Sequence, residues 1–364
     1  MAGDYLFRNE GGKFTDVSEL AGIFGAKMGY GLAAVAADFN NNGCPDLYVA
    51  NDFHENDYLY LNNCDGTFSE SIASAMGHTS TFSMGVDAAD INNDGWLDLM
   101  SLDMKPEIET IRKASAGDDH YNLQLMKLGF GYHHQFPRNM LQLNLGASRN
   151  VIFEKNDIST LAFAEIGQVA GVAATDWSWS TLLADFDNDG WKDIFITNGI
   201  WRRPNDLDYL KFTADEEVQR FASDLDLAAK MPSGAAPNYA FRNLGGAFPQ
   251  FQNVSKDWGL DLTGCSNGAA YADFDNDGDL DLAVNNLNAT ASIFRNNSER
   301  VGNNHFLKVR LEGKDGNKFG FGARVTVRAG ELVQTQELSP VKGWQSSVDL
   351  TLHFGLGKAE QVDV

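Results

Sequence analysis

The chain has 364 residues, long enough for a large buried core, and it contains 36 glycines and 11% aromatic residues. Its 50 acidic and 28 basic residues give a formal charge of -22, which repels phosphate backbones and anionic membranes. We therefore expect no nucleic-acid partner, and no apolar run reaches the roughly 18 residues that a transmembrane segment needs. The turn-rich composition favours an all-β protein, and the acidity favours a divalent cation as ligand.

A pattern of Asp, Asn and Gly occurs four times along the chain, beginning at Asp38, Asp90, Asp185 and Asp273. Each copy follows a run of small residues and precedes a short apolar run. Because these runs are too short for helices, each copy is predicted to be a loop between two β-strands.

A second pattern, an aromatic-rich strand that ends in Asn before a Gly turn, alternates with the loops. Clear copies begin at Tyr5, Tyr58 and Tyr239, and looser copies begin at Met140 and Ser292. This pattern is typical of a β-hairpin. One loop unit plus one hairpin gives about four strands, the content of a propeller blade. The fold is therefore predicted to be a β-propeller.

Extra sequence follows the second and third loops, so the propeller, predicted over 1–300, carries insertions at about 103–138 and 201–236. The second insertion contains Thr213 followed by acidic residues and helix formers, which predicts a short helix. Residues 301–364 show alternating strands without the loop, which indicates a separate, partial β domain. Because the chain opens inside a blade and stops inside this region, we expect it to be a piece of a longer protein.

Calcium takes six to eight oxygen ligands, and a loop with oxygen side chains at positions 1, 3 and 5 and a tight turn at position 6 can wrap around it. Position 6 is Gly in every copy, position 7 offers a backbone carbonyl, and position 9 is always Asp. The predicted ligands, for about four calcium ions, are Asp38, Asn40, Asn42, Cys44 and Asp46; Asp90, Asn92, Asp94, Trp96 and Asp98; Asp185, Asp187, Asp189, Trp191 and Asp193; and Asp273, Asp275, Asp277, Asp279 and Asp281.

Asp-rich loops have two other interpretations. An EF-hand ends in Glu at position 12 between helices, whereas position 12 here is Val49, Ser101, Ile196 or Val284. Simple Asx turns would not need four copies with suitable residues at positions 1, 3, 5, 6 and 9. Four calcium ions would bring the formal charge from -22 to about -14, so folding should depend on calcium. The Asp38 loop, with the fewest carboxylates, should bind most weakly.

The chain has three cysteines, Cys44, Cys64 and Cys265, an odd number without CxxC spacing. This pattern excludes a disulfide scaffold and a zinc site. Cys44 and Cys64 could pair, but three isolated thiols is the preferred interpretation.

The four loops resemble those of the FG-GAP/VCBS repeat family, whose blades carry a DxDxDGxxD loop. From His305 onward, Asn317, Gly320 and the stretch from His353 resemble the ASPIC/UnbV domain of the cartilage acidic protein-like family. VCBS-repeat proteins of Bacteroidetes-type bacteria offer counterparts to the stretch from Tyr132 to Asn144. The resemblance implies an integrin-α-like, calcium-loaded propeller that is extracellular, on the cell surface or periplasmic, and serves adhesion or the recognition of a protein or glycan.

Catalytic motifs such as GxSxG, HExxH, a P-loop and a dinucleotide fingerprint do not occur in the sequence. We therefore expect a non-catalytic binding module. The rival interpretation is a lyase-like, polysaccharide-active enzyme on a calcium-stabilised propeller, with Arg138, Arg202 and Arg203 as candidate catalytic groups.

Two further groups of residues were considered as binding sites. Trp177, Trp179, Trp191 and Trp201 could stack on sugar rings, although burial between blades is the commoner fate of such side chains. His133 and His134, with Asp118, Asp119 and His120 nearby, could hold zinc. Adjacent residues of a strand point to opposite faces, which argues against a shared ion.

Overall fold

In a computed structural model of the chain, the described residues are 3–24, 29–115, 121–147, 161–314 and 316–364. The all-β, propeller prediction is confirmed, because antiparallel sheets form four blades around a common axis. No helix in these ranges is long and apolar enough to cross a membrane.

The first part of the fold is a hairpin, a short helix and two blades. The hairpin and helix are β1 (Phe7–Glu10), β2 (Lys13–Asp16) and α1 (Ser18–Ala21). Blade 1 is β3 (Tyr30–Ala37), β4 (Asp46–Asp52), β5 (Tyr58–Asn62) and β6 (Phe68–Glu70), followed by α2 (Ile72–Ala75) and β7 (Thr79–Ser80). Blade 2 is β8 (Val86–Ala89), β9 (Asp98–Ser101), then, after α3 (Glu109–Ala114), α4 (Tyr121–Gly129) and β10 (Gln135–Phe136), β11 (Met140–Ala147) and β12 (Leu161–Glu165).

Two more blades follow. Blade 3 begins with β13 (Ser178–Ala184) and β14 (Asp193–Asn198). Its insertion holds β15 (Ile200–Arg202), α5 (Leu207–Thr213), α6 (Glu216–Phe221), α7 (Asp224–Lys230), β16 (Ser233–Gly234) and β17 (Ala236–Pro237). The blade ends with β18 (Tyr239–Asn243) and β19 (Phe251–Asn253). After β20 (Thr263–Gly264), blade 4 is β21 (Ser266–Ala272), β22 (Asp281–Asn286) and β23 (Ser292–Phe294).

The blades pack face to face around the axis. Their first strands contain many small residues, and β3 contacts β8, β8 contacts β13, and β13 contacts β21. Small side chains let these strands approach closely, while larger apolar residues fill a separate core between each pair of neighbouring blades. Each interface is therefore a sheet packed on a sheet through alternating side chains.

The C-terminal part forms a unit with a core of its own around Val327 and Phe354. It is preceded by α8 (Ser298–Val301), and its strands are β24 (His305–Arg310), β25 (Arg324–Ala329), β26 (Leu332–Glu337), β27 (Val341–Lys342), β28 (Ser346–Ser347) and β29 (Thr351–Gly357). β24 pairs with β29 and β25 pairs with β26, both antiparallel.

One turn of this unit enters the axis of the propeller. β27 contacts β3, β8 and β13, and β28 contacts β21. The Gly343 N–H donates to the Val86 carbonyl at 3.0 Å, and the buried Lys342 Nζ donates to Asp87 Oδ1 at 2.7 Å. The segment 340–347 therefore fills the centre of the four blades.

The two ends of the propeller carry different structures. The Asp-rich loops join the first and second strands of each blade, whereas both insertions join the second and third strands. In an antiparallel sheet these connections lie at opposite ends. The C-terminal unit covers the loop end, where the Gly357 N–H donates to the Asn188 carbonyl at 2.9 Å. The insertions occupy the other end.

Candidate metal centres

Each Asp-rich loop holds its first carboxylate inside the turn with its own backbone. The position-6 glycine N–H donates to the position-1 carboxylate: Gly43 to Asp38 at 2.8 Å, Gly95 to Asp90 at 2.9 Å, Gly190 to Asp185 at 2.8 Å, and Gly278 to Asp273 at 2.9 Å. These glycines have φ between 86° and 97°, a region that L-residues rarely adopt. The glycine at position 6 is thus required for the carboxylate to face inward.

The position-9 Asp closes the loop and begins the second strand of its blade. In blade 3, Asp193 accepts from the Phe186 N–H at 3.0 Å and from the Asn243 N–H at 2.9 Å. The same two bonds recur at Asp46 from Phe39 (2.9 Å) and Asn62 (2.7 Å), at Asp98 from Ile91 (2.9 Å) and Asn144 (2.7 Å), and at Asp281 from Phe274 (2.9 Å) and Asn296 (2.7 Å). Position 9 therefore ties the loop to the third strand.

The Asn near the end of the third strand also joins neighbouring blades. Asn243 Nδ2 donates to the Ile91 carbonyl in the loop of blade 2 at 2.8 Å. Asn144 Nδ2 donates in the same way to Phe39 at 2.9 Å, and Asn296 Nδ2 donates to Phe186 at 2.6 Å. The first three loops are thereby each fixed by an amide from the following blade.

A second amide runs in the opposite direction, from the position-4 Asn of one loop to the glycine carbonyl of the next. Asn41 Nδ2 donates to the Gly95 carbonyl at 3.3 Å, Asn93 Nδ2 to the Gly190 carbonyl at 2.9 Å, and Asn188 Nδ2 to the Gly278 carbonyl at 3.0 Å. These asparagines are not among the predicted ligands. The signal was present, since Asn occupies position 4 in all four loops and the end of every hairpin strand.

Carboxylates converge inside the third and fourth loops. Oxygens of Asp185, Asp187 and Asp193 all lie within 4.8 Å of one another, as do oxygens of Asp273, Asp275 and Asp281. These residues hold positions 1, 3 and 9. In the first and second loops position 3 is Asn40 or Asn92, so an amide oxygen replaces one carboxylate there.

Burial makes these carboxylates hard to ionise without a cation. Burial raises the pKa of Asp185 to about 7. The positive charge of the nearby Lys192 opposes this rise, and the negative charges of Asp189 and Asp187 add to it. Burial likewise raises the pKa of Asp90 to about 6 and that of Asp46 to about 6. Asn92 Oδ1 is buried and accepts no hydrogen bond, and the same is true of Asp273 Oδ1. Unpaired oxygens beside buried carboxylates suit a hard divalent cation.

Two arginines offset the charge of the two most acidic loops. Arg242 contacts Asp187 at 2.6 Å and Asp189 at 2.9 Å. Arg295 contacts Asp275 at 2.8 Å and Asp277 at 3.0 Å. The residue at the same place in the first two blades is Leu61 or Leu143, so the compensating arginine occurs where positions 1, 3, 5 and 9 of the loop are all Asp. Lys308 of the C-terminal unit also contacts Asp273.

The position-7 side chains contact the residue two after the hairpin Asn. Cys44 forms a disulfide with Cys64. The rings of Trp96 and Trp191 lie over Gly146 and Gly245, where an added Cβ would come within 2.7 Å and 2.8 Å of the indole. Asp279 Oδ2 accepts from Ser298 Oγ at 3.1 Å. The same pair of positions thus fastens every loop to its hairpin, by a disulfide in blade 1, an indole against glycine in blades 2 and 3, and a hydrogen bond in blade 4.

The expectation of three isolated thiols is wrong for Cys44 and Cys64, whose Cα atoms are 5.7 Å apart in the disulfide. Cysteine counting missed the pair because each partner belongs to a different repeat unit. Cys265 has a free thiol.

The arginines proposed for catalysis have separate structural partners. Arg138 contacts Glu165 at 3.0 Å, Arg203 pairs with the buried Asp176 at 2.8 Å, and Arg202 donates to the Met231 carbonyl at 3.0 Å. Of the tryptophans, Trp201 is exposed, whereas Trp179 packs on Trp344 with ring centroids 4.9 Å apart. Asp118, Asp119 and His120 lie outside the described residues. Among the residues that the structure describes, no histidine belongs to a cluster suited to a metal.

Comparisons with known proteins agree with this geometry. Residues 38–101 match the model of the FG-GAP-like repeat, and residues 313–364 match that of ASPIC and UnbV. Neither is a catalytic family. The chain is 25% identical to cartilage acidic protein 1 of Xenopus tropicalis over 88% of its own length and 39% of the relative's. It is 24% identical to the Homo sapiens protein over 96% of its own length and 42% of the relative's. The chain thus spans about two fifths of these relatives.

Among solved structures, an Agrocybe aegerita lectin that recognises non-reducing terminal N-acetylglucosamine is 16% identical, with a TM-score of 0.34 over 81% of this chain and 60% of the lectin. From the two family matches and the curated relatives, the chain carries an FG-GAP-like repeat in its propeller and an ASPIC and UnbV segment at its C-terminal end, and it is a distant homologue of cartilage acidic protein 1.

Proposed function

We propose that the chain is an extracellular, non-catalytic recognition module whose blades are stabilised by about four calcium ions. The observation that carries this proposal is the convergence of positions 1, 3 and 9 in the third and fourth loops, to within 4.8 Å. The other two loops share the same backbone bonds, with Asn replacing Asp at position 3. The division into a propeller over 1–300 and a β domain over 301–364 is part of the proposal.

The predicted ligands fall into two groups under this proposal. Side chains at positions 1, 3 and 9 supply oxygens directly. The position-5 side chain lies beside them, and one of its oxygens accepts a hydrogen bond from the position-7 N–H, as Asp189 Oδ1 does from the Trp191 N–H at 3.0 Å. Position 7 contributes its backbone carbonyl, since its side chain faces the hairpin. Calcium would replace the repulsion between carboxylates with attraction, which supports a folding requirement for the ion.

The Cys44–Cys64 disulfide supports an oxidising compartment. Disulfides persist in secreted and cell-surface proteins and are rare in the cytosol. A net charge of -22 also suits a protein that works where millimolar calcium is available.

The insertion end of the propeller is the surface that we assign to partner recognition. The two insertions contact each other through a β-bridge between Ser115 and Asp206. They expose large apolar side chains, including Phe130 at 77%, Phe221 at 83% and Trp201 at 57%. The C-terminal unit covers the opposite end, which leaves the insertion end for a protein or glycan. Exposed apolar side chains on insertions of a rigid scaffold commonly mark interaction sites.

Calcium binding is tested by titrating the ion into chelator-treated protein by calorimetry and following thermal unfolding in parallel. A ligand that binds only the folded state stabilises it by about 2.7 kcal/mol per site at a hundredfold excess over Kd. The melting temperature rises as a result. Asp185→Asn should remove one binding event, and Asp261→Asn, at an exposed position, should remove none. Absence of both uptake and a thermal shift would reduce the loops to Asx turns.

Recognition is tested by probing a glycan array and a panel of extracellular matrix proteins with the calcium-loaded chain. The variant Phe130→Ser/Phe221→Ser should lose binding to any partner found. Phe14→Ser, at a residue 70% exposed on the N-terminal hairpin, should keep it. Equal loss in both variants would place the partner elsewhere.

A further inference from the structure

We propose that blade 4 holds a second divalent cation, next to the ion of its loop, between the carboxylates of Asp277, Asp279 and Glu299. Oxygens of these three side chains lie within 4.8 Å of one another. Glu299 comes from α8 (Ser298–Val301), outside the loop motif. The site is therefore absent from the nine-residue pattern and could not be found from it.

Two oxygens of this cluster are buried without a hydrogen-bond partner. Asp279 has no solvent exposure, and its Oδ1 accepts no hydrogen bond, while its Oδ2 is held by Ser298 Oγ at 3.1 Å. Glu299 Oε2 is equally unpartnered, although Oε1 accepts from Arg300 Nε at 2.8 Å. Asp279 and Glu299 are thus each held through one oxygen, which leaves the other oxygen free for a cation. Asp277 completes the cluster, although its Oδ2 also accepts from Arg295 Nη2 at 3.0 Å.

An unpaired, buried carboxylate oxygen is costly, and three carboxylates in contact add repulsion to that cost. A cation removes both penalties at once. Oxygen-only coordination by carboxylates selects a hard ion such as Ca²⁺ over a thiolate- or imidazole-seeking metal. A proton shared between the carboxylates would also neutralise the cluster. The cation and the proton differ because only the cation requires uptake of a metal ion.

The site is specific to blade 4. Position 7 is Cys44, Trp96 or Trp191 in the other loops, so none of them has a carboxylate there. Asp277 would contribute to both ions, which makes this inference rest on the proposed calcium loops. Arg295 contacts Asp275 and Asp277 from the exposed side and balances part of the added negative charge.

The test counts calcium ions bound per chain, by equilibrium dialysis followed by elemental analysis, in the wild type and in Glu299→Gln. This change is nearly isosteric at a side chain that is 30% exposed. Glu331→Gln, an exposed residue in the turn between β25 and β26, is the matched control for the lost charge. Asp279→Asn is the second variant, and circular dichroism establishes that each protein is folded.

We expect Glu299→Gln and Asp279→Asn each to bind one ion fewer than the wild type, while Glu331→Gln binds the same number. Equal counts in all four proteins would overturn the second ion and leave the loop ions standing, with a shared proton as the explanation of the cluster. No bound calcium in the wild type would overturn the second ion together with the proposed function.

Discussion

Replacement of Asn243 by Ala tests whether side-chain amides hold the blades together. Asn243 is 1% exposed. Its Nδ2 donates to the carbonyls of Ile91 at 2.8 Å and Lys192 at 3.0 Å, and its Oδ1 accepts from the Gly245 N–H at 2.9 Å. The substitution leaves three backbone groups without this partner, and each buried unpaired group costs about 1–3 kcal/mol. We therefore expect a loss of about 4 kcal/mol in the free energy of unfolding.

The assay is thermal and urea unfolding in saturating calcium, so that ion release does not mask the effect. The matched control is Asn285→Ala, at an exposed strand position of blade 4, which should stay within about 0.5 kcal/mol of wild type. Asn243→Asp keeps the acceptor for Gly245 but sets a carboxylate against two carbonyls, so it should be at least as harmful as Ala. If Asn243→Ala costs no more than the Asn285 control, the amide connection contributes nothing and the reasoning is refuted.

Three further predictions concern charge. Because the folded-state pKa of Asp185 is about 7 against an ordinary 3.8, the calcium-free protein should lose stability as pH rises from about 4 to about 7, by at most roughly 4 kcal/mol from this group. Thermal melts in chelator should show the decline, and Asp185→Asn should make it shallower. A rise in stability across that window would contradict the prediction. Arg242→Leu restores the residue type of blades 1 and 2 and should tighten calcium binding at the third loop about tenfold in calorimetry. The control Arg220→Leu, at an exposed position of α6, should leave the affinity unchanged. Equal affinities in the two variants would show that Arg242 does not oppose the ion. Lys342→Ala leaves the fully buried Asp87 without its partner and should lower the free energy of unfolding in urea by about 3–5 kcal/mol. The double variant Asp87→Asn/Lys342→Ala should recover part of the loss. If Lys342→Ala has no effect on stability, Asp87 is protonated in the fold.

Local features of the fold were predictable from the sequence because they depend on residues close together in the chain. The four loops and their flanking strands follow from turn chemistry and alternating side chains. The helix expected near Thr213 is confirmed as α6, whose cap is Asp215 rather than Thr213. The helices α3 and α4 were not predicted, since they are short and have no buried residues to impose a period.

Long-range features were not predictable. The turn at Lys342 enters the propeller axis through contacts with strands more than a hundred residues away, and no periodicity encodes that path. The cluster at Glu299 is similar, because its third carboxylate lies twenty residues beyond Asp279 in an element outside the repeat. The amides at Asn144 and Asn243 left a visible repeat in the sequence, but their acceptors belong to other blades.

The fastening between position 7 and the hairpin limits how these blades could be exchanged or recombined. Grafting the second loop into blade 4 would bring the indole of Trp96 against Ser298 instead of Gly146, where even one added carbon would clash. Grafting the first loop into any other blade would leave Cys44 without its disulfide partner Cys64. The smallest transferable unit is therefore a loop together with its own hairpin, so divergence of duplicated blades would require paired substitutions inside each blade. A designer building longer arrays from this scaffold would have to move both halves as one cassette.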